Sequence, residues 1–405
     1  MKFHRLASLL LLLIFVAGCT PDRPIDPPGK AGRTVIVYIN ADNNLFDRYN
    51  TSDYYGALVD INEMEKAWDD NSKDVLLVYF NSGEHSKLGE YEKSTPKVLR
   101  IKHDDDLHQI NSPVLKTYGK QDASDTLVLA RVLKDAVALA PADNYGLIMW
   151  SHGTGWVPRE AGPPLRSSDG PTSYTFGVSE SYAYSQMEID GLARALPRDV
   201  KFDFIAFDVC YMGGVEVAYQ LRNSCKYFIA SAGETPIDGF EYDLLLKDIM
   251  SANVTDWVRK AYEYNKGMTG WRRTCALSVI DCSQLESLAG ALHNLVVSSP
   301  RSLSDVNYYQ IQDHGSSAEF REVYYDLSDF VNKTWAGAAG LDAFNKAMKD
   351  VAVSKYFLPY SMGVYKIDTY CGLTCFIPRS HQKKAIKIFR ECYDWSKASG
   401  MGLMN

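Results

Sequence analysis

Short apolar runs alternate with amphipathic stretches along the first half of the chain. The run at 34–40 (TVIVYIN) is continuous and rich in β-branched residues, which is typical of a strand buried on both faces of a parallel sheet. Similar runs predict further strands at 74–80, 98–102, 145–150, 201–207 and 227–231. Helical spacing predicts helices that end near 68 or cover 125–140, 186–195 and 213–222. Because strands that alternate with helices favour right-handed crossovers, we predict an α/β fold with a mostly parallel, doubly wound sheet.

The pattern becomes mixed towards the end of the chain. Helices are predicted at 242–266, 283–297, 324–335, 341–353 and from 382, and strands at 274–280 and 371–378. We therefore predict a core at 34–250 and a C-terminal α/β extension at 251–405 that packs on it.

One internal stretch, 157–181, has neither a helical nor a strand period and is rich in proline and glycine. It predicts a long exposed loop. Long loops inside compact domains are usually functional or are sites of cleavage.

The first 18 residues have the composition of a targeting segment. A positively charged start precedes an apolar run that is too short to cross a bilayer comfortably. The run ends in VAGC at 16–19, which resembles a bacterial lipobox, where cleavage before the cysteine accompanies lipid attachment to its thiol. We predict a signal peptide at 1–18, a lipid anchor at Cys19 and a flexible tether at 19–33. The protein is then exported and held at the outer membrane or cell surface.

The net charge argues against one class of partner. The 405 residues carry a formal charge of −7, and loss of Lys2 and Arg5 with the signal peptide (−7 − 2) brings the mature chain near −9. Phosphate binding needs a concentrated basic surface, and the sequence contains neither a Lys/Arg cluster nor a nucleic-acid-binding motif. We therefore expect no nucleic-acid partner.

The remaining cysteines do not have the spacing of a disulfide framework. Seven are left once Cys19 is set aside, at positions 210, 225, 275, 282, 371, 375 and 392. Because the number is odd and the positions are scattered, at least one thiol is free. In an exported protein such a thiol is either inert through burial or used in chemistry.

Two reactive side chains follow neighbouring predicted strands. His152 lies two residues beyond the strand 145–150, and Cys210 lies three beyond 201–207. Active sites of open parallel sheets form outside the carboxyl ends of the strands, so we expect the two side chains to meet there. An imidazole beside a thiol is the minimum for thiol acyl transfer. Gly153 lacks a Cβ, so its N–H and that of Cys210 would form an oxyanion hole.

The order and spacing of these residues resemble the clostripain-like peptidases, in the clan that also holds caspases, gingipains and legumain. The resemblance covers most of 34–380. It implies a caspase-like αβα sandwich with extra C-terminal elements, and a cysteine endopeptidase that acts on polypeptides. The matching segments are SHGTGW after one strand (151–156), DVC after another (208–210), the ADNN loop (41–44) and the late GLTCFIP strand (372–378).

Carried over by position, the resemblance makes His152 and Cys210 a catalytic dyad. Asp208 matches an acidic position associated with Arg or Lys at P1, the substrate residue before the cleaved bond. Asp238 and Glu234 are two further candidates for the floor of that pocket, and the sequence does not separate them. A partly buried carboxylate suits this role because it binds a guanidinium group bidentately.

The resemblance also implies a precursor and, for some relatives, calcium. Relatives of this kind are often cut between the histidine and the cysteine, and the loop 157–181 lies in that interval. Arg166 is the preferred self-cleavage site because small polar residues follow it. No Asp/Asn loop of the sequence has EF-hand form, so we name no calcium ligands.

A non-enzymatic alternative stays open, in which a surface lipoprotein uses a peptidase-like fold to bind protein or glycan. The sequence lacks the GxSxG of serine hydrolases, the HExxH of zinc peptidases and a glycine-rich turn after its first strand. The reactivity of Cys210 separates the peptidase from the binding protein.

Overall fold

The computed structural model describes residues 30–46, 56–83, 95–157, 175–236, 238–316 and 321–404. Cys19, the predicted signal peptide and Arg166 lie outside these ranges. No helix within them is long and apolar enough to cross a bilayer.

A nine-stranded sheet forms the centre of the described chain. The strands of the described residues are β1 (Ala31–Asn40), β2 (Val75–Asn81), β3 (Lys97–Arg100), β4 (Val114–Thr117), β5 (Ala142–Trp150), β6 (Phe176–Ser179), β7 (Ser185–Met187), β8 (Phe202–Asp208), β9 (Cys225–Ser231), β10 (Ala276–Asp281), β11 (Tyr325–Asp326), β12 (Ala352–Phe357), β13 (Tyr360–Ser361), β14 (Tyr365–Lys366) and β15 (Thr374–Cys375). The large sheet has the order β12-β10-β9-β8-β5-β1-β2-β3-β4. Its five central strands, from β9 to β2, are parallel, and the outer strands on both sides pair antiparallel.

Helices cover both faces of this sheet. They are α1 (Gly56–Ala67), α2 (Thr126–Leu139), α3 (Ile189–Ala195), α4 (Val215–Leu221), α5 (Tyr242–Ser251), α6 (Val254–Gly267), α7 (Leu285–Ser298), α8 (Leu327–Thr334), α9 (Leu341–Val351), α10 (Lys383–Cys392) and α11 (Asp394–Ala398). Residues of α1, α5 and α6 form one apolar core against the sheet, and those of the other helices form a second core. Along β1, Val35 and Val37 belong to the first core and Ile36 and Tyr38 to the second. Both faces of the strand are therefore buried, which explains the continuous apolar run.

The predicted α/β sandwich with a mostly parallel, doubly wound sheet is confirmed. Three local predictions are wrong. Residues 176–179 of the predicted loop form the buried strand β6, and only 374–375 of the predicted strand 371–378 have strand structure. The strand β12 was not predicted, because the helical pattern that runs to 353 hides its start at Ala352.

The C-terminal third contributes to the central sheet. The strands β10 and β12 come from beyond residue 250, and they extend the sheet past β9. The division into a core at 34–250 and an extension at 251–405 stays a prediction.

Candidate active site

The register of the parallel strands sets two loops side by side. Trp150, the last residue of β5, is paired with Asp208, the last residue of β8. His152 and Cys210 each lie two residues beyond this pair. Because neighbouring strands lie about 4.8 Å apart, the two residues leave the sheet from adjacent positions at its carboxyl edge.

Two glycines let these loops approach each other. A Cβ on Gly153 would lie 2.3 Å from Val209 Cγ1 and 3.2 Å from Cys210 O. A Cβ on Gly155, which has a φ of +69°, would lie 2.5 Å from Tyr211 O. Any larger residue at either position would push the loop after β5 away from the loop after β8.

The Cys210 thiol is partly exposed and contacts the backbone of Thr235. The Thr235 N–H donates to Cys210 Sγ with an N···S distance of 3.3 Å. Cys210 Sγ also lies 3.8 Å from Thr235 O, so the Thr235 backbone offers the sulfur both a donor and an acceptor. The next residue, Tyr211, has a φ of +59°, a left-handed conformation that is strained for a residue with a Cβ. Its N–H donates to Gly233 O at 2.9 Å, which holds the strained turn against the loop after β9.

The His152 ring lies against the loop that follows β1. Its Nε2 is 2.6 Å from Asn44 Oδ1. The preceding residue, Ser151, donates its hydroxyl to Asn40 O at 2.8 Å. The ends of β1 and β5 are thus joined both at the histidine and one residue before it.

His152 and Cys210 line one cavity of about 340 Å³, a size that suits a substrate side chain and its neighbouring backbone. Asp208 and Glu234 lie in the same wall. The other lining residues are Leu45, Trp150, Ser151, Val209, Thr235, Pro236, Gly239, Trp271, Thr274 and Met362.

Asp208 is a buried carboxylate, 5% exposed. Its Oδ2 accepts the Phe240 N–H at 3.0 Å and the Tyr242 O–H at 3.1 Å. Burial raises the pKa of Asp208 to about 6, although these two hydrogen bonds oppose the rise. Gly239 closes over it with a φ of +63°, and a Cβ there would lie 2.7 Å from Asp208 Oδ2. Among the described residues, no lysine, arginine or histidine forms an ion pair with this carboxylate.

The other two predicted pocket carboxylates, Asp238 and Glu234, already form an ion pair or hydrogen bonds with neighbouring side chains. Asp238 forms an ion pair with Arg272, whose Nε is 3.2 Å from Asp238 Oδ2, and it does not line the cavity. Glu234 Oε1 accepts the Tyr211 O–H at 3.1 Å and the Ser316 O–H at 3.0 Å. The structure therefore brings Asp208 and Glu234, but not Asp238, to the cavity with His152 and Cys210.

The sequence matches a known family over most of its length. The family model described as the clostripain family matches residues 37–382. The chain belongs to the clostripain family. It is 25% identical to clostripain from Hathewaya histolytica over 415 residues, which covers 86% of this chain and 75% of that protein.

Two solved structures of C11 cysteine proteases resemble this clostripain-family chain. A secreted C11 cysteine protease from Bacteroides thetaiotaomicron, in complex with an irreversible peptide inhibitor, has a TM-score of 0.72 and 27% identity, covering 91% of this chain and 99% of that chain. An inactive zymogen C11 protease from Parabacteroides distasonis has a TM-score of 0.71 and 27% identity, covering 92% of this chain and 99% of that chain. The predicted family and caspase-like fold are confirmed, and the chain is a cysteine endopeptidase.

Several residues around the cavity of this clostripain-family protein were missed by the sequence analysis. Trp271 and Met362 line it from distant parts of the chain, and Thr235 contacts the thiol through its backbone. No local pattern marks such contacts. Asn44 belongs to the polar run directly after β1, and that run was a usable signal because polar groups gather at parallel strand ends.

Three carboxylates outside the cavity form a candidate ligand set for the calcium that the resemblance implies. Oxygen atoms of Glu63, Glu241 and Asp243 lie within 4.8 Å of one another, and oxygen ligands suit calcium. However, Lys66 Nζ is 2.9 Å from Asp243 Oδ2. Burial, followed by the charge of Glu241, raises the pKa of Glu63 to about 8. The Lys66 ammonium group and a proton on Glu63 thus offset the negative charge of the three carboxylates. Nothing else about these described residues indicates a bound cation.

The thiols of the described residues differ sharply in exposure. All are free; Cys210 is partly exposed and Cys392 is exposed, whereas Cys225, Cys275, Cys282, Cys371 and Cys375 are buried. Burial raises the pKa of both Cys275 and Cys371 to about 12. These buried thiols are therefore protected against alkylation at neutral pH, which leaves Cys392 as the comparison for Cys210.

We predict that iodoacetamide at pH 7 labels Cys210 about tenfold faster than Cys392. The thiolate is the reacting form, and burial together with the nearby Asp190 raises the pKa of Cys392. Mass spectrometry of the labelled peptides over time measures both rates. In His152→Ala the Cys210 rate should fall towards that of Cys392. Equal rates in the wild type would contradict an activated thiol at Cys210.

Proposed function

We propose that this endopeptidase uses Cys210 as the nucleophile and His152 as the proton carrier. The observation that carries the proposal is the pairing of Trp150 with Asp208, beyond which both side chains enter one cavity. The Cys210 thiolate attacks the scissile carbonyl carbon, protonated His152 gives its proton to the leaving amine nitrogen, and a thioester remains. Water then attacks the thioester, His152 takes its proton, and the acid product and the thiolate are released.

The negative oxygen formed by this attack needs donors beside Cys210. Two backbone hydrogen bonds join this loop to β6 and to the residue before it. His152 O accepts the Gly177 N–H, and the Thr154 N–H donates to Thr175 O. The Gly153 N–H takes no part in those bonds, which supports its assignment, with the Cys210 N–H, as an oxyanion donor. One such donor is worth about 3 kcal/mol to the transition state.

Asp208 gives the pocket its preference for Arg or Lys at P1. A buried carboxylate without a cation is unfavourable, and a guanidinium or ammonium group of the substrate would offset its charge. Asp238 already has Arg272 as a partner, and hydroxyl groups bind Glu234. Of the three carboxylates, Asp208 is therefore the one that a substrate cation would stabilise most.

We predict that the wild type cleaves fluorogenic peptides with Arg or Lys at P1 and not those with Asp or Asn. Asp208→Asn should lower kcat/KM for the basic peptides about 100-fold, because removing one partner of a buried ion pair costs about 3 kcal/mol. Asp238→Asn and Glu234→Gln are the matched controls, with losses below about fivefold, since each keeps the shape of its side chain. Cys210→Ala sets the inactive baseline.

The same variants test the pH dependence of this preference. Ionised Asp208 is the binding form and its pKa lies at about 6. The kcat/KM for an Arg peptide should therefore rise as the pH passes upwards through that value, when the carboxyl loses its proton. Asn at position 208 removes this contribution, and the two control variants keep it. An equal loss in Asp238→Asn, or a preference for Asp at P1, would overturn the assignment of Asp208.

The enzyme is made as a precursor that cuts itself between His152 and Cys210. Val157 and Thr175, which flank the interval 158–174, are both buried, and Thr175 O accepts the Thr154 N–H beside the histidine. A cut within this interval would therefore leave a buried residue on each side of the break, one of them hydrogen-bonded next to the histidine. The likeness to an inactive zymogen also supports a precursor. Arg166 is our choice of cleavage site because it matches the basic P1 preference and, unlike Arg159, is followed by small polar residues.

We predict that purified wild-type protein separates into two chains on a denaturing gel, with Ser167 at the start of the second. Cys210→Ala should stay whole because it lacks the nucleophile, and Arg166→Ala should be cut much more slowly. Arg159→Ala, in the same interval, is the matched control and should be cut like the wild type. Cleavage of Cys210→Ala at the wild-type rate during its own expression would show that another protease makes the cut.

Lipid on Cys19 anchors the exported enzyme to a membrane. The VAGC run at 16–19 supports this, and one similar structure is described as secreted, which supports export. We predict that protein made in a bacterial host partitions into the detergent phase of a Triton X-114 extract, and that Cys19→Ser partitions into the aqueous phase. Aqueous partition of both proteins would contradict the anchor.

A further inference from the structure

A side chain from the loop after β1 contacts the imidazole that the proposed mechanism uses. Asn44 Oδ1 lies 2.6 Å from His152 Nε2, the distance of a strong hydrogen bond. We propose that Asn44 is a positioning residue that orients His152 for proton transfer. This inference rests on the proposed Cys–His function and adds a third member to it.

The residue before Asn44 holds the loop in place. Asn43 is fully buried, and its two Nδ2 hydrogens are shared among Asn40 O at 3.0 Å, Ser151 Oγ at 3.2 Å and Val178 O at 3.1 Å. One amide thus links the end of β1 to the residue before His152 and to β6. Asn44 is exposed but adjoins this anchored position, so its own side chain is presented to the histidine from a fixed backbone.

The hydrogen bond selects a ring tautomer. An amide oxygen accepts only, so Nε2 carries hydrogen when it faces Asn44 Oδ1, and Nδ1 is then the nitrogen that exchanges the proton with the reacting groups. An orienting partner of this kind keeps the imidazole in the productive direction. A neutral amide does so without favouring the protonated ring as a carboxylate would. The other ionisable groups in the cavity wall are Asp208, Cys210 and Glu234.

Replacement of Asn44 should separate orientation from binding and from stability. Asn44→Ala removes the acceptor and should lower kcat about tenfold or more, as loss of an orienting partner does, with KM for an Arg peptide little changed. Asn44→Asp keeps an acceptor but adds a negative charge that favours protonated His152. Its alkaline limb in the pH–rate profile should move up by about one pH unit.

Two control variants distinguish this role from a structural one. Asn144→Ala changes an exposed asparagine on β5 and should leave kcat, KM and the pH profile unchanged. Asn43→Ala removes the buried hydrogen bonds of the side-chain amide and should lower the melting temperature clearly, whereas Asn44→Ala should not. An Asn44→Ala variant that loses melting temperature like Asn43→Ala would make its role structural and overturn the proposal.

A measurement without substrate tests the hydrogen bond itself. In protein labelled with ¹⁵N-histidine, the ring signal that disappears in His152→Gln belongs to His152, and it should show hydrogen on Nε2 in the wild type. Asn44→Ala should lose this single tautomer. If the wild type hydrolyses no peptide while the tautomer is present, the peptidase mechanism fails and the contact stands. If Asn44→Ala keeps full kcat, or keeps the Nε2–H form, the positioning role fails and the Cys–His mechanism stands.

Discussion

The parallel pairing of β5 with β8 is the constraint on which the site depends. It sets Trp150 opposite Asp208, and the same distance along each chain then leads to His152 and Cys210. A slip of one residue would turn every side chain of a strand to the other face of the sheet, and both faces are packed against helices. The burial of the sheet on two sides therefore fixes the alignment of two polar loops that contribute little to the core themselves.

Beyond the strand ends, tertiary contacts hold the loops after β5 and β8 in place. Tyr211 stacks on Tyr324, with ring centroids 4.5 Å apart, and Tyr324 donates its hydroxyl to Thr154 O at 2.7 Å. These two tyrosines couple the turn after Cys210 to the loop after His152. The C-terminal segment adds a second support, because the N–H of Thr374 in β15 donates to Gly213 O at 2.9 Å. The strained turn at Tyr211 is thus maintained by residues far from it in sequence.

The sequence predicts those features of the fold that depend on residues close to one another along the chain. Continuous apolar runs such as 34–40 are set by burial on both faces of a strand, and they indicated the sheet and the polar residues at its edge. Strand β6 was not predicted because it has only four residues and follows a stretch rich in prolines and glycines. The residues that contact Asp238 and Cys210 were not predicted for a different reason. Arg272 and Thr235 reach them through loop conformation, which a single sequence does not encode as spacing.

The electrostatics of Asp208 connect the fold to the chemistry. Because burial raises its pKa from the ordinary 3.8 to about 6, the folded chain keeps this proton to a higher pH than the unfolded chain does. The free energy of unfolding therefore falls as the pH rises through that interval, by on the order of 3 kcal/mol at neutral pH. A substrate cation that pairs with the carboxylate would recover part of that loss only while it is bound. The cost of ionising the buried Asp208 is thus the physical basis of the preference for a basic side chain that we propose.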